Sequence, residues 1–242
     1  MSGMSERTGL IVGEEGIRKL NEASVLLVGC GAVGGYALEG LVRAGVGHIR
    51  VVDHDVFSES NMNRQILATG RTLGRPKVEV ACERAREINP DIEIEGVDVL
   101  ISAETVPAIL CGEFDLAVDA IDTVRNKVAL LEALCDRGMV TFSSMGAALH
   151  TDTQAVRVAP VMETSVCPLA SFVRKALRKK DASRITAVYS IEPPVVRPSE
   201  RDGHGKSVLG SLPTVPAVFG MNLANEAIRY ILSRRCGAVV PF

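Results

Sequence analysis

Arg64 in SNMNRQ (60–65), Lys77 at the end of GRPK (74–77), and the carboxylates Asp119 and Asp122 in FDLAVDAIDTVRNK (114–127) all follow a glycine-rich turn, GCGAVG at 29–34. Each residue type has a use in nucleotide chemistry. Gly29 permits a tight turn, Gly31 lets backbone approach a phosphate, and Gly34 lets the following helix pack close to the preceding strand, its N-terminal N–H groups facing the anion. Asp53 comes about twenty residues later, at the end of the next strand, where a carboxylate can accept both ribose hydroxyls. A dehydrogenase holds a dinucleotide's pyrophosphate largely through backbone and has little use for Arg64 and Lys77. A triphosphate being cleaved gathers negative charge at the reacting phosphorus and calls for Arg, Lys and a metal. Asp122 fits either metal contact or the N-cap of the next helix, and Asp119 fits a role in orienting the loop. Arg64 as a surface ion-pair partner and Lys77 as a solvated helix residue are the plainer readings.

The elements that must position these groups are legible as an alternation. Strand-like runs fall at 24–28, 48–53, 91–97, 114–119 and 139–143, with helical patterns at 33–44, 76–88, 104–111 and 123–137 between them. Strand and helix in turn predict an α/β fold with a Rossmann-like, doubly wound, mainly parallel sheet, its ligand outside the carboxyl ends of the strands. After about residue 145 the rhythm changes to AVRVAPV, a basic helix over 169–180, ITAVYSI, a Pro- and charge-rich stretch over 193–210 and a terminal helix within 212–232. No linker separates the halves, so the expectation is one unit over 1–242, with a nucleotide-binding half at 1–145 and added strands and helices at 146–242.

Composition sets mild bounds. A single domain of 242 residues buries roughly 70 to 75% of its unfolded surface, enough to stand without disulfides or structural metal. With 47% hydrophobic residues, no tryptophan and 4% aromatics, Val, Ile, Leu and Ala must fill the core. The six cysteines form no C-x-x-C pair and read as reduced, mostly buried cytosolic thiols, placing the protein in the cytoplasm. No signal peptide is expected at the start, and Asn222, Asn225, Glu226 and Arg229 argue against a membrane span in the last helix. A net charge of -2 neither implies nor excludes a nucleic-acid partner, since local clusters can act against a neutral average.

Taken together, the glycine loop, Asp53-x-Asp55, Asn61-Arg64-Gln65, Lys77 and Asp122 resemble the ThiF/MoeB/HesA superfamily, the bacterial relatives of ubiquitin-activating enzymes. The resemblance covers nearly the whole chain. It implies ATP and Mg2+ as cofactors, with the backbone of Gly29, Gly31, Ala32, Val33 and Gly34 and the side chains of Asp53, Asp55, Asn61, Arg64, Gln65, Lys77 and Asp122 around the nucleotide. Asp53 would hold the ribose, Asn61, Arg64 and Lys77 the phosphates, and Asp122 the magnesium. It also implies a homodimer in which Arg7 crosses into the neighbouring site, a cation worth several orders of magnitude in rate when supplied in trans. Met4-Ser5 departs from the arginine-aromatic pair usual just upstream, and a position so near the terminus is expected to fray.

Within the superfamily, MGAALHTDTQAVRV, ETSVCPLASFVRKALRK, VYSIEPPV and GKSVLGSLPTVPAVFG resemble the tRNA threonylcarbamoyladenosine dehydratase branch. Members that adenylate a ubiquitin-like sulfur carrier commonly carry two zinc-binding C-x-x-C pairs, and neither is present. Cys167 and Thr153 depart from the aspartate and proline usual in the branch. The resemblance implies an adenylating enzyme that activates a carboxylate on a tRNA nucleoside, with residues 146–242 serving substrate and dimer contacts. Adenylation of a sulfur carrier's C-terminal glycine, with sulfur-transfer partner proteins, is the alternative within the superfamily; an NAD-dependent oxidoreductase and a nucleotide-sensing module are those outside it. Cations suited to tRNA phosphates would be Arg174, Lys175, Arg178, Lys179, Lys180 and Arg184, then Arg197, Arg201, His204 and Lys206, with a solvated helix face as the bland reading. Cys167 beside Pro168 reads as a helix-entry packing residue in preference to a nucleophile.

Overall fold

A computed structural model describes residues 3–196 and 209–234. Seven strands form one sheet: β1 (Ser24–Val28), β2 (His48–Asp53), β3 (Glu93–Asp98), β4 (Leu116–Asp119), β5 (Thr141–Ser144), β6 (Val156–Pro160) and β7 (Ile185–Ser190). Their order is β3-β2-β1-β4-β5-β7-β6, all parallel except β6, which runs antiparallel to β7. The order reverses at β1, flanked by β2 on one side and β4 on the other. In an open parallel sheet that reversal opens a crevice at the carboxyl ends, and the glycine loop leaves β1 there.

The helices are α1 (Glu6–Glu22), α2 (Gly34–Ala44), α3 (Lys77–Ile88), α4 (Val106–Ile109), α5 (Val124–Asp136), α6 (Pro168–Ala176) and α7 (Thr214–Ser233). Leu38 and Leu41 of α2, Val78 and Ala81 of α3, and Phe219 and Leu223 of α7 share one core with Val25, Leu27 and Val51. On the other face Leu130, Leu131 and Leu134 of α5 and Ala170 and Val173 of α6 pack with Leu26, Val28 and Ala187. The sheet is therefore covered on both sides, which is why β1 and β4 read as continuous apolar runs with no alternation.

Several expectations shift. The 104–111 pattern yields only the single turn of α4. The frayed start expected around Arg7 is helical: α1 runs for 17 residues, broken at Gly13 (φ 72°, ψ 178°), and docks through Gly16, Ile17 and Leu20. Lys19 Nζ donates to the Leu232 carbonyl at 3.1 Å, tying α1 to α7. Before the break, Leu10 and Ile11 are 84% and 88% exposed. Cys30, Cys82 and Cys167 are buried as expected, but Cys111 is exposed. Arg197, Arg201, His204, Lys206 and Cys236 lie outside the described residues. No helix among the described residues is long and apolar enough to cross a membrane.

Candidate functional site

The glycine loop is built from three close approaches. Gly29 takes φ 91°, in the left-handed region, and a Cβ there would lie 2.8 Å from the Ala120 carbonyl oxygen. A Cβ on Gly34 would come within 1.9 Å of the Gly29 oxygen, so only glycine allows α2 to start so near β1. From the other side Gly220 of α7 passes the Val33 carbonyl with no room for a side chain. Gly31 differs: nothing lies nearer to its missing Cβ than Gln65 Nε2, at 3.8 Å. That open side is where a ligand can approach backbone.

Asp53 anchors this loop. Its Oδ2 accepts the Cys30 N–H at 2.7 Å and its Oδ1 the Asp55 N–H at 3.0 Å, with the residue 7% exposed. Each oxygen keeps a second lone pair for a ligand hydroxyl. Burial, and then the Asp53 charge, push the Cys30 thiol far up, so it has no nucleophilic use.

The segment after β2 turns back on itself. Val56 bridges Pro76, and the Phe57 N–H donates to the Arg75 carbonyl at 3.0 Å, closing the loop that carries Arg64 at its base. Lys77, at the start of α3, is 5% exposed and sends Nζ to Asp55 Oδ2 at 3.0 Å. Lys77 is thus a buried cation beside the crevice, not a solvated helix residue. Asn61 Oδ1 accepts the Ser58 N–H at 3.1 Å, shaping the turn before Arg64. Arg64 Nη1 donates to the Ser60 carbonyl at 2.7 Å and to Asn63 Oδ1 at 2.8 Å. Asn63, whose role the local sequence does not reveal, also donates through Nδ2 to the Ser211 carbonyl at 3.0 Å. Gln65 is buried under Gly31 with Oε1 unpartnered. An orphan acceptor beneath an open glycine fits a ligand or water that supplies a donor.

Across β1, the loop after β4 is held from below. Asp119 Oδ1 accepts the Ile121 N–H at 3.0 Å, and its Oδ2 faces Lys127 Nζ and accepts from Ser143 Oγ at 2.6 Å. Asp119 therefore orients the loop, as its position suggested. Lys127 was not foreseen, although a lysine spaced three, four and seven residues before Leu130, Leu131 and Leu134 is the signal of a cation on a buried helix face. Asp122 is exposed at the edge, its Oδ1 accepting from Thr123 Oγ1 at 3.0 Å. The N-cap position of α5 is Thr123, whose side chain makes no capping hydrogen bond, so Asp122 is not the N-cap considered for it. Asp53, His54 and Asp55 bring possible ligand atoms within 4.8 Å of one another. The Lys77 ammonium on Asp55 already offsets one of its two carboxylates, and both oxygens of the other, Asp53, accept backbone N–H groups. Asp122 is the exposed carboxylate on the other side of the crevice, and magnesium takes one or two carboxylates and fills its shell with phosphate oxygens and water.

Residues 5–241 match the ThiF family. The chain belongs to the ThiF family. It is 36% identical over 191 residues to a tRNA threonylcarbamoyladenosine dehydratase of Bacillus subtilis (strain 168), covering 78% of this chain and 75% of that protein. It is 30% identical over 243 residues to the Haemophilus influenzae protein of the same name, covering 94% and 92%. The crystal structure of E. coli tRNA N6-threonylcarbamoyladenosine dehydratase in complex with ATP superposes with a TM-score of 0.84 at 28% identity, over 93% of this chain and 92% of that one. The glycine loop and the strand-end carboxylates of this ThiF-family chain thus sit in a fold that holds ATP in a close structural neighbour.

Arg7 lies in the first turn of α1, exposed, on the segment before the Gly13 break. Of the C-terminal cations, Arg174, Lys180 and Arg184 are engaged within the protein. Cys167 is buried at the N-cap of α6, against Gly146, as a packing residue would be. His150, also unforeseen, is buried with Nδ1 unpartnered, 3.7 Å from Glu192 Oε2. Backbone N–H groups of Thr151 and Asp152 hold that carboxylate, and its pKa, low.

Proposed function

We propose that this protein uses ATP to adenylate the carboxylate of threonylcarbamoyladenosine at position 37 of tRNA and so drives closure of that side chain into a ring, releasing AMP and pyrophosphate. The observation that carries this reading is a buried lysine, a loop arginine and strand-end carboxylates around an open glycine, in a chain that aligns almost end to end with tRNA threonylcarbamoyladenosine dehydratases.

A carboxylate is a poor acyl donor because its leaving group would be oxide. Its oxygen attacks the α-phosphorus, the bond from that phosphorus to the bridging β-oxygen breaks, and pyrophosphate leaves. A nucleophile of the same side chain then attacks the acyl carbon, loses its proton, and AMP departs as the ring closes. No protein nucleophile is needed, which agrees with the buried, alkaline-shifted Cys30.

The chain's own residues bind and orient. Gly31, Ala32, Val33 and Gly34 offer backbone to the phosphates, the free lone pairs of Asp53 take the ribose hydroxyls, and Gln65 Oε1 accepts a donor from the ligand. Asn61, Arg64 and Lys77 steady the charge of the departing diphosphate, with Asp55 holding Lys77 in place. Asp122 is the residue that would hold magnesium, which when bound neutralises phosphate charge. A second copy of the chain covers Leu10 and Ile11 and brings Arg7 to this site from the neighbouring protomer. Residues 1–145 then form the nucleotide half and 146–242 the substrate and dimer half of a cytoplasmic enzyme.

ATP–pyrophosphate exchange tests the reading. Stimulation by tRNA bearing threonylcarbamoyladenosine, with cyclic nucleoside appearing by mass spectrometry, is the expected result. Stimulation by a carrier protein ending in Gly-Gly instead would transfer the activity, and any sulfur-transfer partner, to the carrier class; intact ATP under both conditions would leave a binding module.

A further inference from the structure

We propose that the outward side of α6 and of the 3-10 turn that continues it (Leu177–Lys179) is the docking strip for the RNA backbone, with Phe172 as a stacking platform and Lys175, Arg178 and Lys179 as its phosphate contacts. The proposal rests on the tRNA reading above and adds the surface that would receive it.

The cations of this region divide into two groups. Arg174 Nη1 donates to Thr164 Oγ1 at 2.7 Å, Lys180 Nζ holds Asp136 at 2.6 Å, and Arg184 Nη1 donates to the Gly138 carbonyl at 3.0 Å. These three serve the fold. Lys175, Arg178 and Lys179 are exposed, and no ion pair joins them to a carboxylate among the described residues. A solvated helix face normally interleaves both signs of charge. Here no acidic residue occurs from Pro168 to Lys180.

Packing does not explain Phe172. The inward face of the helix is completed by Ala170, Val173 and Leu177, each 0% exposed, while Phe172 is 57% exposed with Lys175 Nζ 6.0 Å over its ring. Phe172 and Lys175, three residues apart, share one face of α6, and Arg178 and Lys179 follow directly in the 3-10 turn Leu177–Lys179. An exposed aromatic set among unpaired cations suits single-stranded RNA, whose bases stack and whose phosphates are neutralised.

The direction of the helix is also right. Its N-cap, Cys167, touches Gly146, two residues beyond β5 at the nucleotide edge of the sheet. Its far end is pinned through Lys180 to Asp136 at the end of α5, on the opposite edge. RNA whose modified nucleotide enters the crevice would run back along this flank.

The test is a salt titration of binding, read by anisotropy, with fluorescent tRNA bearing threonylcarbamoyladenosine. Replacing Lys175, Arg178 and Lys179 together by Gln should lower the slope of log K against log salt by about two to three. Phe172→Ala should weaken binding about five- to a hundred-fold at fixed salt. Lys180→Gln, outside the strip, should leave the slope unchanged. ATP binding and sedimentation of each variant without RNA report folding and assembly. Wild-type slope and affinity in both strip variants would overturn the proposal, as would a Phe172→Ala protein that loses RNA only because it falls into smaller species, since the face would then join two copies. Failure of the wild-type protein to bind tRNA at all would instead remove the functional reading beneath it.

Discussion

Lys127 and Asp119 form an ion pair in which neither side chain has any solvent-exposed surface. Asp119 fixes the Ile121 N–H, and with it the loop that presents Asp122. Removing one member strands the other's charge in the core. Lys127→Met should cost about 3–5 kcal/mol in urea unfolding, and the double variant Asp119→Asn/Lys127→Met should recover much of that. A Lys127→Met protein within about 0.5 kcal/mol of wild type would show that the pair is dispensable.

Gly31 and Gly34 should respond oppositely to one methyl group. At Gly34 the methyl collides with the Gly29 carbonyl, so Gly34→Ala should lose at least the upper end of the ~1–3 kcal/mol typical of overpacking. At Gly31 there is room, so Gly31→Ala should unfold within about 0.5 kcal/mol of wild type. It should nevertheless bind ATP at least about ten-fold more weakly, a loss of about 1.4 kcal/mol. Calorimetric titration and thermal melts on the two proteins separate the outcomes, and normal ATP affinity in Gly31→Ala would move the phosphates away from this loop.

Asn63 links Arg64 to Ser211 across 148 residues of sequence. Asn63→Ala leaves the guanidinium with only its Ser60 contact and should raise KM for ATP about five-fold, the worth of a hydrogen bond near 1 kcal/mol. Asn63→Asp keeps the acceptor for Arg64 but loses the donor to Ser211, and should fall between. Steady-state kinetics on the pair decide the matter; equal effects would mean the Ser211 contact is irrelevant to Arg64.

His150 predicts an acid limb. Burial lowers its pKa from 6.5, with the Glu192 charge pulling partly the other way. Below the unfolded value the unfolded chain binds the proton more readily, so stability is full above about pH 6.5 and falls as pH drops through the folded pKa. Glu192, itself held low, contributes a second loss only at more acid pH. His150→Gln should therefore flatten the change in urea midpoint between about pH 7 and 5.5 while leaving the later loss. An unchanged limb would place the titrating group elsewhere.

What could be read in advance follows from where local and tertiary forces agree. The runs at 24–28 and 48–53 matched β1 and β2 to the residue because β-branched stretches end there in turn glycines and acids. The helix α1 escaped notice because Gly9, Gly13 and Gly16 weaken its local preference, and docking on α7 overrides them. Arg64, Lys77 and Asp122 carried a visible chemical pattern. Asn63 and His150 did not, since their meaning lies in partners distant in sequence, Ser211 and Glu192, while Lys127 carried only its spacing to Leu130, Leu131 and Leu134, which marks a buried helix face and not a partner.

Because both oxygens of Asp53 are already engaged by the Cys30 and Asp55 amides, the glycine loop takes its shape when the chain folds and does not wait for a ligand. Little ordering of backbone is then left to oppose association, and the entropic penalty of arranging those amides falls on the folding reaction. Under the proposed function, a loop set in this way would meet the arriving triphosphate and the AMP left behind with the same backbone geometry, so the difference between them there would be one of charge.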